Sequence, residues 1–283
     1  MSAPAGGGQL TPAAVVDGVR RPLEEAVLPL TDAGVARGDG AFETVGVWDG
    51  RAFRLEDHLE RLARSLALLG LEPVDEAALG SDITALLSGA GGDGALRLYV
   101  TGSGTRVATL DRLPGRRLPL RLAVQQGPWI APPALPADAR GWRGGPKTMS
   151  YAPNVAATRA AQRSGADDAL LVTSEGVVAE GSTFAVLWVS DGVLHAPDRD
   201  LGLVDSVSRR FLVEAAHLPV VEGRWPVEAL ARASEILAVS ALRDVVAVRS
   251  IDGVVQLTGP TPVRDGLSAA LWAARRGARV PRS

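Results

Sequence analysis

The sequence predicts an α+β fold of two domains, and three observations lead there. Short segments of strand-type residues around Asp-Gly turns come in runs, without the strict strand-helix alternation of a parallel sheet. Between them lie stretches with apolar residues three and four apart, the spacing of an amphipathic helix. From Gln126 to Gly145 the composition shifts to four prolines and four glycines, which disfavours any regular element. The expected organisation is therefore a small N-terminal α+β domain over residues 1–125, an interdomain linker over 126–145, and a larger C-terminal domain over 146–283. With 283 residues, 46% hydrophobic and 22% charged, the chain can bury a proper core.

Element by element, Ala14–Arg20 reads as a short strand and Leu28–Gly40 as a loop rich in glycine. Thr44–Trp48 and Arg51–Leu55 flank Asp49-Gly50, a hairpin signal. Glu56–Leu69 is helical because Leu59, Leu62, Leu66 and Leu69 form one stripe, and Asp75–Leu87 reads as a second helix. Ala95–Thr101 and Leu118–Gln125 alternate as strands do. The second half opens with a helix over Pro153–Ser164. Strands follow at Asp168–Thr173, Val177–Glu180, Phe184–Val189 and Val193–Ala196. Helices are expected at Val204–Ala216 and Val227–Ala233, strands at Glu235–Ser240, Val245–Ile251 and Val254–Leu257, and a terminal helix at Pro262–Arg276.

Composition excludes several functions. The net charge of −2 gives no reason to invoke nucleic acid or an anionic membrane. With no cysteine there are no disulfides, thiolate metal sites or cysteine nucleophile. His58, His195 and His217 lie far apart, without metal-ligand spacing. No apolar run reaches membrane-spanning length, and Met1–Gly8 lacks the basic flank and apolar core of a signal peptide. Neither a dinucleotide-binding glycine fingerprint nor a P-loop is present. The expectation is a cytoplasmic enzyme acting on a small molecule.

Of the 30 basic residues one is a lysine, Lys147, and the rest are arginine. Where only positive charge is needed, arginine serves. Where an amine must lose its proton and attack a carbonyl, only lysine works. Lys147 thus reads as a Schiff-base lysine. Its partner is either the substrate's own carbonyl or pyridoxal phosphate, and the latter needs further parts. A phosphate calls for helix-start N–H groups, hydroxyls and an arginine; a pyridine nitrogen calls for a carboxylate. Ser206 and Ser208 stand at an expected helix start, although N-capping is their commoner role. Glu180 ends a strand, where a solvated carboxylate is the ordinary case, and Arg61 sits mid-helix, where a solvated arginine is. Tyr151 lies four residues after Lys147. These residues alone allow an imine-forming enzyme and leave its carbonyl partner open.

Six ordered segments carry a resemblance: Arg37-Gly38-Asp39-Gly40-Ala41-Phe42-Glu43-Thr44, His58-Leu59-Glu60-Arg61-Leu62, Lys147 to Asn154, Gly165 to Leu170, Glu180-Gly181-Ser182, and Leu201 to Arg209. Together they resemble the class IV (fold type IV) pyridoxal-phosphate enzymes, from about Leu28 to Val248. The resemblance implies two domains with the active site between them, pyridoxal 5'-phosphate as cofactor, and a homodimer. It implies that Lys147 joins the cofactor and moves protons. By the same resemblance Arg61 holds the phosphate with the backbone of Val207 and Ser208, Glu180 pairs with the pyridine nitrogen, Tyr151 supports the phenolic oxygen, and Phe42 lines the substrate side.

Two departures stand out. The family commonly has Pro-Gly-Ile-Thr where this chain has Asp205-Ser206-Val207-Ser208, and Asp205 is expected to repel a phosphate unless it points away. A hydroxyl is usual where Ala241 follows Ser240, and a lost neutral hydrogen bond costs about 0.5–1.5 kcal/mol. Within the family, D-amino-acid aminotransferases place an arginine where Gly102 stands. Branched-chain enzymes have an aromatic where Arg37 stands. Arg37 suits an acidic substrate; Arg97, which a solvated strand face would equally explain, would give the second cation for a substrate with two carboxylates, and the motif wording resembles aminodeoxychorismate lyase. That lyase, forming 4-aminobenzoate and pyruvate, is the expected activity. An aminotransferase is the alternative, and a non-catalytic, cofactor-poor homologue is a further one.

Overall fold

The computed structural model describes residues 10–115, 119–127 and 144–277. The chain divides into two compact units, Met1–Gly115 with Pro146–Ser150, and Arg116–Gly145 with Tyr151–Ser283.

The first unit holds β1 (Ala13–Val16), β2 (Val19–Pro22), α1 (Ala33–Arg37), β3 (Gly40–Trp48), β4 (Arg51–Ala52), α2 (Leu55–Leu68), α3 (Glu76–Leu87), β5 (Gly94–Thr101) and β6 (Arg106–Asp111). Its six-stranded sheet has the order β2-β1-β6-β5-β3-β4, antiparallel throughout. Residues alternate in facing along each strand. Val45, Val47, Leu96, Leu98 and Leu110 point into a core closed by Leu62 and Leu66 of α2 and by Leu79, Ile83 and Leu86 of α3. On the other face Phe42 and Thr44 sit beside Tyr99 and Arg97 in register, and all four are only half-buried.

Three local expectations are corrected here. The strand expected at Ala14–Arg20 is a hairpin, because Asp17 and Gly18 both take positive φ (47° and 85°), the geometry of a tight two-residue turn. The loop expected over 28–40 contains α1, whose first turn is capped by the Asp32 carboxylate accepting from Gly34 N–H at 2.8 Å. Arg106–Asp111, not anticipated as a strand, fills the gap between β1 and β5.

The second unit comprises β7 (Leu120–Gln126), α4 (Ala152–Arg163), β8 (Asp168–Val172), β9 (Val178–Gly181), β10 (Ala185–Ser190), β11 (Val193–Pro197), α5 (Val207–Ala215), β12 (Val220–Gly223), β13 (Glu235–Val239), β14 (Val246–Ile251), β15 (Val255–Gln256) and α6 (Pro262–Arg275). The sheet runs β12-β11-β10-β13-β14-β7-β8-β9, with β15 on β14. It is mixed, with β7 parallel to both of its neighbours. Alternate residues of β7 and β8 feed two cores. Leu122 and Leu170 join one with Trp188, Ile236 and Val248; Ala123, Ala169 and Leu171 join another with Ala161 of α4, Leu201 and Leu203. The segment expected as helix at Val227–Ala233 is a 3-10 turn over Val227–Arg232. Val204 precedes α5 and bridges to Gly145 instead of opening the helix.

The expected domain boundaries differ from these units in two places. The strand assigned to the first domain, β7, is interior to the second unit's sheet, where β8 and β14 satisfy its backbone on both edges. Pro146–Ser150, expected to open the second domain, lies along β3. Phe42 N–H donates to Lys147 C=O at 3.0 Å and Met149 N–H to Gly40 C=O at 2.8 Å. It can do so because β4 is two residues long and leaves that edge of β3 unpaired. Arg54 takes a left-handed φ of 52° and turns the chain into α2, which ends β4 early. Most of the expected linker, residues 128–143, lies outside the described residues.

Candidate active site

In the first unit the site grows from three residues of α2. His58, Arg61 and Ser65 lie three and four apart and so share one face of the helix. That face meets Glu43, which points inward from β3 and is fully buried. Arg61 donates to the carboxylate through Nε at 2.6 Å and Nη2 at 2.7 Å, and His58 Nδ1 lies 2.8 Å from Oε2. Burial alone would push the Glu43 carboxyl up. The Arg61 guanidinium and the hydrogen bonds from Arg61 and His58 more than offset this and hold it at about 2. Burial pushes His58 down against the pull of Glu43. An ionised Glu43 only accepts, so Nδ1 of a neutral His58 carries the proton and donates to it. Arg61 is thus a buried ion-pair partner, in contrast to the solvated helical arginine that is the ordinary case.

Ser65 connects this cluster to Lys147. Its hydroxyl donates to Arg61 C=O at 2.8 Å and accepts from Lys147 N–H at 3.0 Å. The lysine backbone is therefore held on both sides, by α2 and by β3. Its Nζ lies 4.0 Å from the centroid of the Phe42 ring, which stacks with Tyr99 at 6.0 Å. The amine thus shares the open sheet face with Phe42, Tyr99 and Arg97. Arg37 is exposed in the last turn of α1.

Gly102 is exposed in the turn that follows β5. Its N–H donates to Asp39 C=O at 2.8 Å, and an added Cβ would come within 2.2 Å of Asp39 Oδ2. The turn that follows is fixed by Asp32, which accepts from Thr101 Oγ1 at 3.0 Å and Thr105 Oγ1 at 2.9 Å.

In the second unit Glu180 stands on β9 and Tyr151 caps α4, both half-buried. Ser206 is the N-cap of α5, its hydroxyl accepting from Arg209 N–H at 3.2 Å, so the ordinary capping role holds there. The first-turn N–H groups of Val207 and Ser208 have no intrahelical acceptor, as at any helix start. Asp205 does not leave bare negative charge at this turn. It is buried, with Arg199 Nη1 and Arg210 Nε each at 3.9 Å. Ser240 and Ala241 form the turn after β13. Their carbonyls accept from buried Arg275 at 3.2 Å each, so the turn is held from behind although Ala241 lacks a hydroxyl.

Each unit by itself carries groups of the kind that a phosphorylated aromatic aldehyde calls for. One part supplies an amine beside a ring and a buried arginine. The other supplies a capped helix start whose acid is met by arginines, a carboxylate on a strand end, and a tyrosine. Nε and Nη2 of Arg61 are engaged by Glu43, so a phosphate would share the guanidinium with that carboxylate. Glu43 and Ser65 were not singled out in the sequence, and His58 only for its lack of ligand spacing. A signal for Glu43 was available: it is a charged residue in phase with Val45 and Val47 on an inward face.

The comparisons agree with this reading. A model of the amino-transferase class IV family matches residues 40–251. A bifunctional aminodeoxychorismate lyase / D-amino acid transaminase of Mycobacterium tuberculosis is 34% identical over 183 residues, 59% of this chain and 62% of that protein, so the match spans under two thirds of that relative. An aminodeoxychorismate lyase of Bacillus subtilis is 28% identical over 260 residues, 82% of this chain and 84% of that protein. A hypothetical aminotransferase from Mycobacterium tuberculosis, solved in its PLP-bound form, superposes with a TM-score of 0.81 at 28% identity, covering 93% of this chain and 98% of that one. Among the described residues no helix is long and apolar enough to cross a membrane, and no cluster of metal-ligating side chains occurs.

Proposed function

The chain belongs to the class IV aminotransferases and is a pyridoxal-phosphate-dependent enzyme, and from that premise we propose that it is an aminodeoxychorismate lyase. The observation that carries the reading is the composition of the sheet face beside Lys147. It bears Phe42, Tyr99 and the cation Arg97, and Gly102 stands where D-amino-acid enzymes place an arginine. A flat, dicarboxylated ring carrying an amine suits an aromatic floor flanked by a cation.

In this reading Arg61, the N–H groups of Val207 and Ser208, and the Ser206 and Ser240–Ala241 turns hold the phosphate. Glu180 keeps the pyridine nitrogen protonated, and Tyr151 supports the phenolic oxygen. Bound at Lys147, the cofactor supplies an electron sink for the pair left when a proton leaves the carbon that bears the substrate amine. Lys147 Nζ would take the ring proton from C4; the C3–O bond would break, the three-carbon group leaving as an enolate that takes up a proton to become pyruvate, and the ring would aromatise to 4-aminobenzoate. The face of the Phe42 ring lies 4.0 Å from the Lys147 amine and lines the substrate side. Arg97, with Arg37 as a second cation, orients the carboxylates. Transamination uses the same proton transfer by Lys147 and is the second reading, favoured by the double name of the Mycobacterium relative. The proposal includes a cytoplasmic homodimer, which sedimentation analysis tests.

The decisive assay gives the purified protein pyridoxal phosphate, chorismate, glutamine and a partner synthase, and follows 4-aminobenzoate. Amino-acid and keto-acid pairs are scanned in parallel. Turnover confined to the scan defeats the lyase reading. Borohydride reduction followed by peptide mapping is expected to mark Lys147.

A further inference from the structure

We propose that Asp168 is a positioning residue that ties together the three turns of the second unit from which the cofactor contacts project. This deepens the site reading above and rests on it. The Asp168 carboxylate is buried and accepts three hydrogen bonds on one oxygen: from Ser182 Oγ at 2.6 Å, Thr158 Oγ1 at 2.9 Å and its neighbour Ala169 N–H at 2.9 Å. Its other oxygen faces Arg243 Nη2 at 3.7 Å. Ser182, Thr158 and Arg243 each lead to a different part of the site.

Ser182 follows Glu180 by two residues and is buried. It is held at every polar atom: its hydroxyl by Asp168, its N–H by Ala169 C=O at 3.3 Å, and its carbonyl by Asn154 Nδ2 at 2.8 Å. Phe184 then folds back, with Gly181 N–H donating to Phe184 C=O at 2.8 Å, so the strand end bearing Glu180 is fixed in one conformation. Asn154 and Thr158 are one turn apart on α4, the helix that Tyr151 begins. Both reach the Asp168–Ser182 node, which pins the first turn of that helix.

Arg243 brings in the third turn. Its N–H donates to Ser240 Oγ at 3.2 Å, closing the turn that contains Ala241, and its guanidinium lies 4.8 Å from the Phe184 ring centroid. One carboxylate thereby sets the relative placement of Tyr151, Glu180 and Ser240–Ala241 without belonging to the set assigned to the cofactor. A buried, multiply hydrogen-bonded acid of this kind acts through the groups that it orients.

The test uses full-length Asp168→Ala, Asp168→Asn, Ser182→Ala and Ser182→Thr. The readouts are pyridoxal-phosphate affinity of the apoprotein and the pH midpoint of the bound cofactor's visible band. Asp168→Ala and Ser182→Ala are expected to weaken affinity about tenfold, the scale of one lost charge-assisted hydrogen bond, and to move the midpoint. Ser182→Thr, which keeps the hydroxyl, is expected to restore both. Should Asp168→Ala fail to fold, Asp168→Asn and Ser182→Ala carry the test. Affinity within about twofold of wild type and an unmoved midpoint in folded variants overturn the inference. If wild-type protein is not labelled at Lys147 by borohydride, the site reading fails first, and the two outcomes are told apart.

Discussion

Glu43 illustrates how much one side chain can decide. It is fully enclosed, yet ionised, because Arg61 occupies both of its oxygens. Replacing it by glutamine leaves Arg61 buried without its counter-charge, and Glu43→Gln is expected to cost about 3–5 kcal/mol at neutral pH by urea denaturation. The pH dependence has a definite sign. The folded-state pKa is lowered from 4.5 to about 2, so the unfolded chain binds more protons within that window. The contribution is complete above about 4.5 and is lost as pH falls toward about 2, so the gap between wild type and Glu43→Gln should narrow over that range. An unchanged gap at low pH would refute the assignment. Lys147 was legible in the sequence because it is the lone lysine. Glu43 was not singled out, because its partners lie fifteen and eighteen residues away on another element.

Among the elements, the ends matter most. Ser206 caps α5 at the proposed phosphate turn, and Ser206→Ala is expected to cost roughly 1 kcal/mol in stability together with weaker pyridoxal-phosphate binding, read by thermal and cofactor titration. Gly181 owes its place to space and not to backbone freedom, since an added Cβ would come within 2.2 Å of the Phe184 ring. Gly181→Ala should therefore destabilise by about 1–3 kcal/mol, as overpacking does, and Gly181→Ala/Phe184→Leu should recover part of it. The Asp49-Gly50 hairpin was legible because its turn chemistry and flanking pattern agree. The equivalent Asp17-Gly18 turn was passed over because Ala14–Arg20 was read as one strand running through it. β12 was missed because Val220–Gly223, only partly buried, shows no alternation of apolar and polar residues.

At the scale of the whole molecule, binding stabilises what binds. Pyridoxal phosphate at about a hundred times its Kd is expected to raise folding stability by roughly 2.7 kcal/mol. Calorimetry should show a smaller gain in Lys147→Ala, and an equal gain would argue against the covalent link. The sequence by itself determined the fold class, the order of nearly all helices and strands and the family, and it singled out Lys147 as the candidate amine, because periodicity, turn residues and ordered motifs are local signals. Only the tertiary structure decided that β7 belongs to the second unit's sheet, that Lys147 is fastened to β3 and Ser65, and that Arg61 is buried against Glu43. Those outcomes depend on which distant backbone edge is left unpaired and which buried charge finds its counter-charge, conditions that no window along the chain contains.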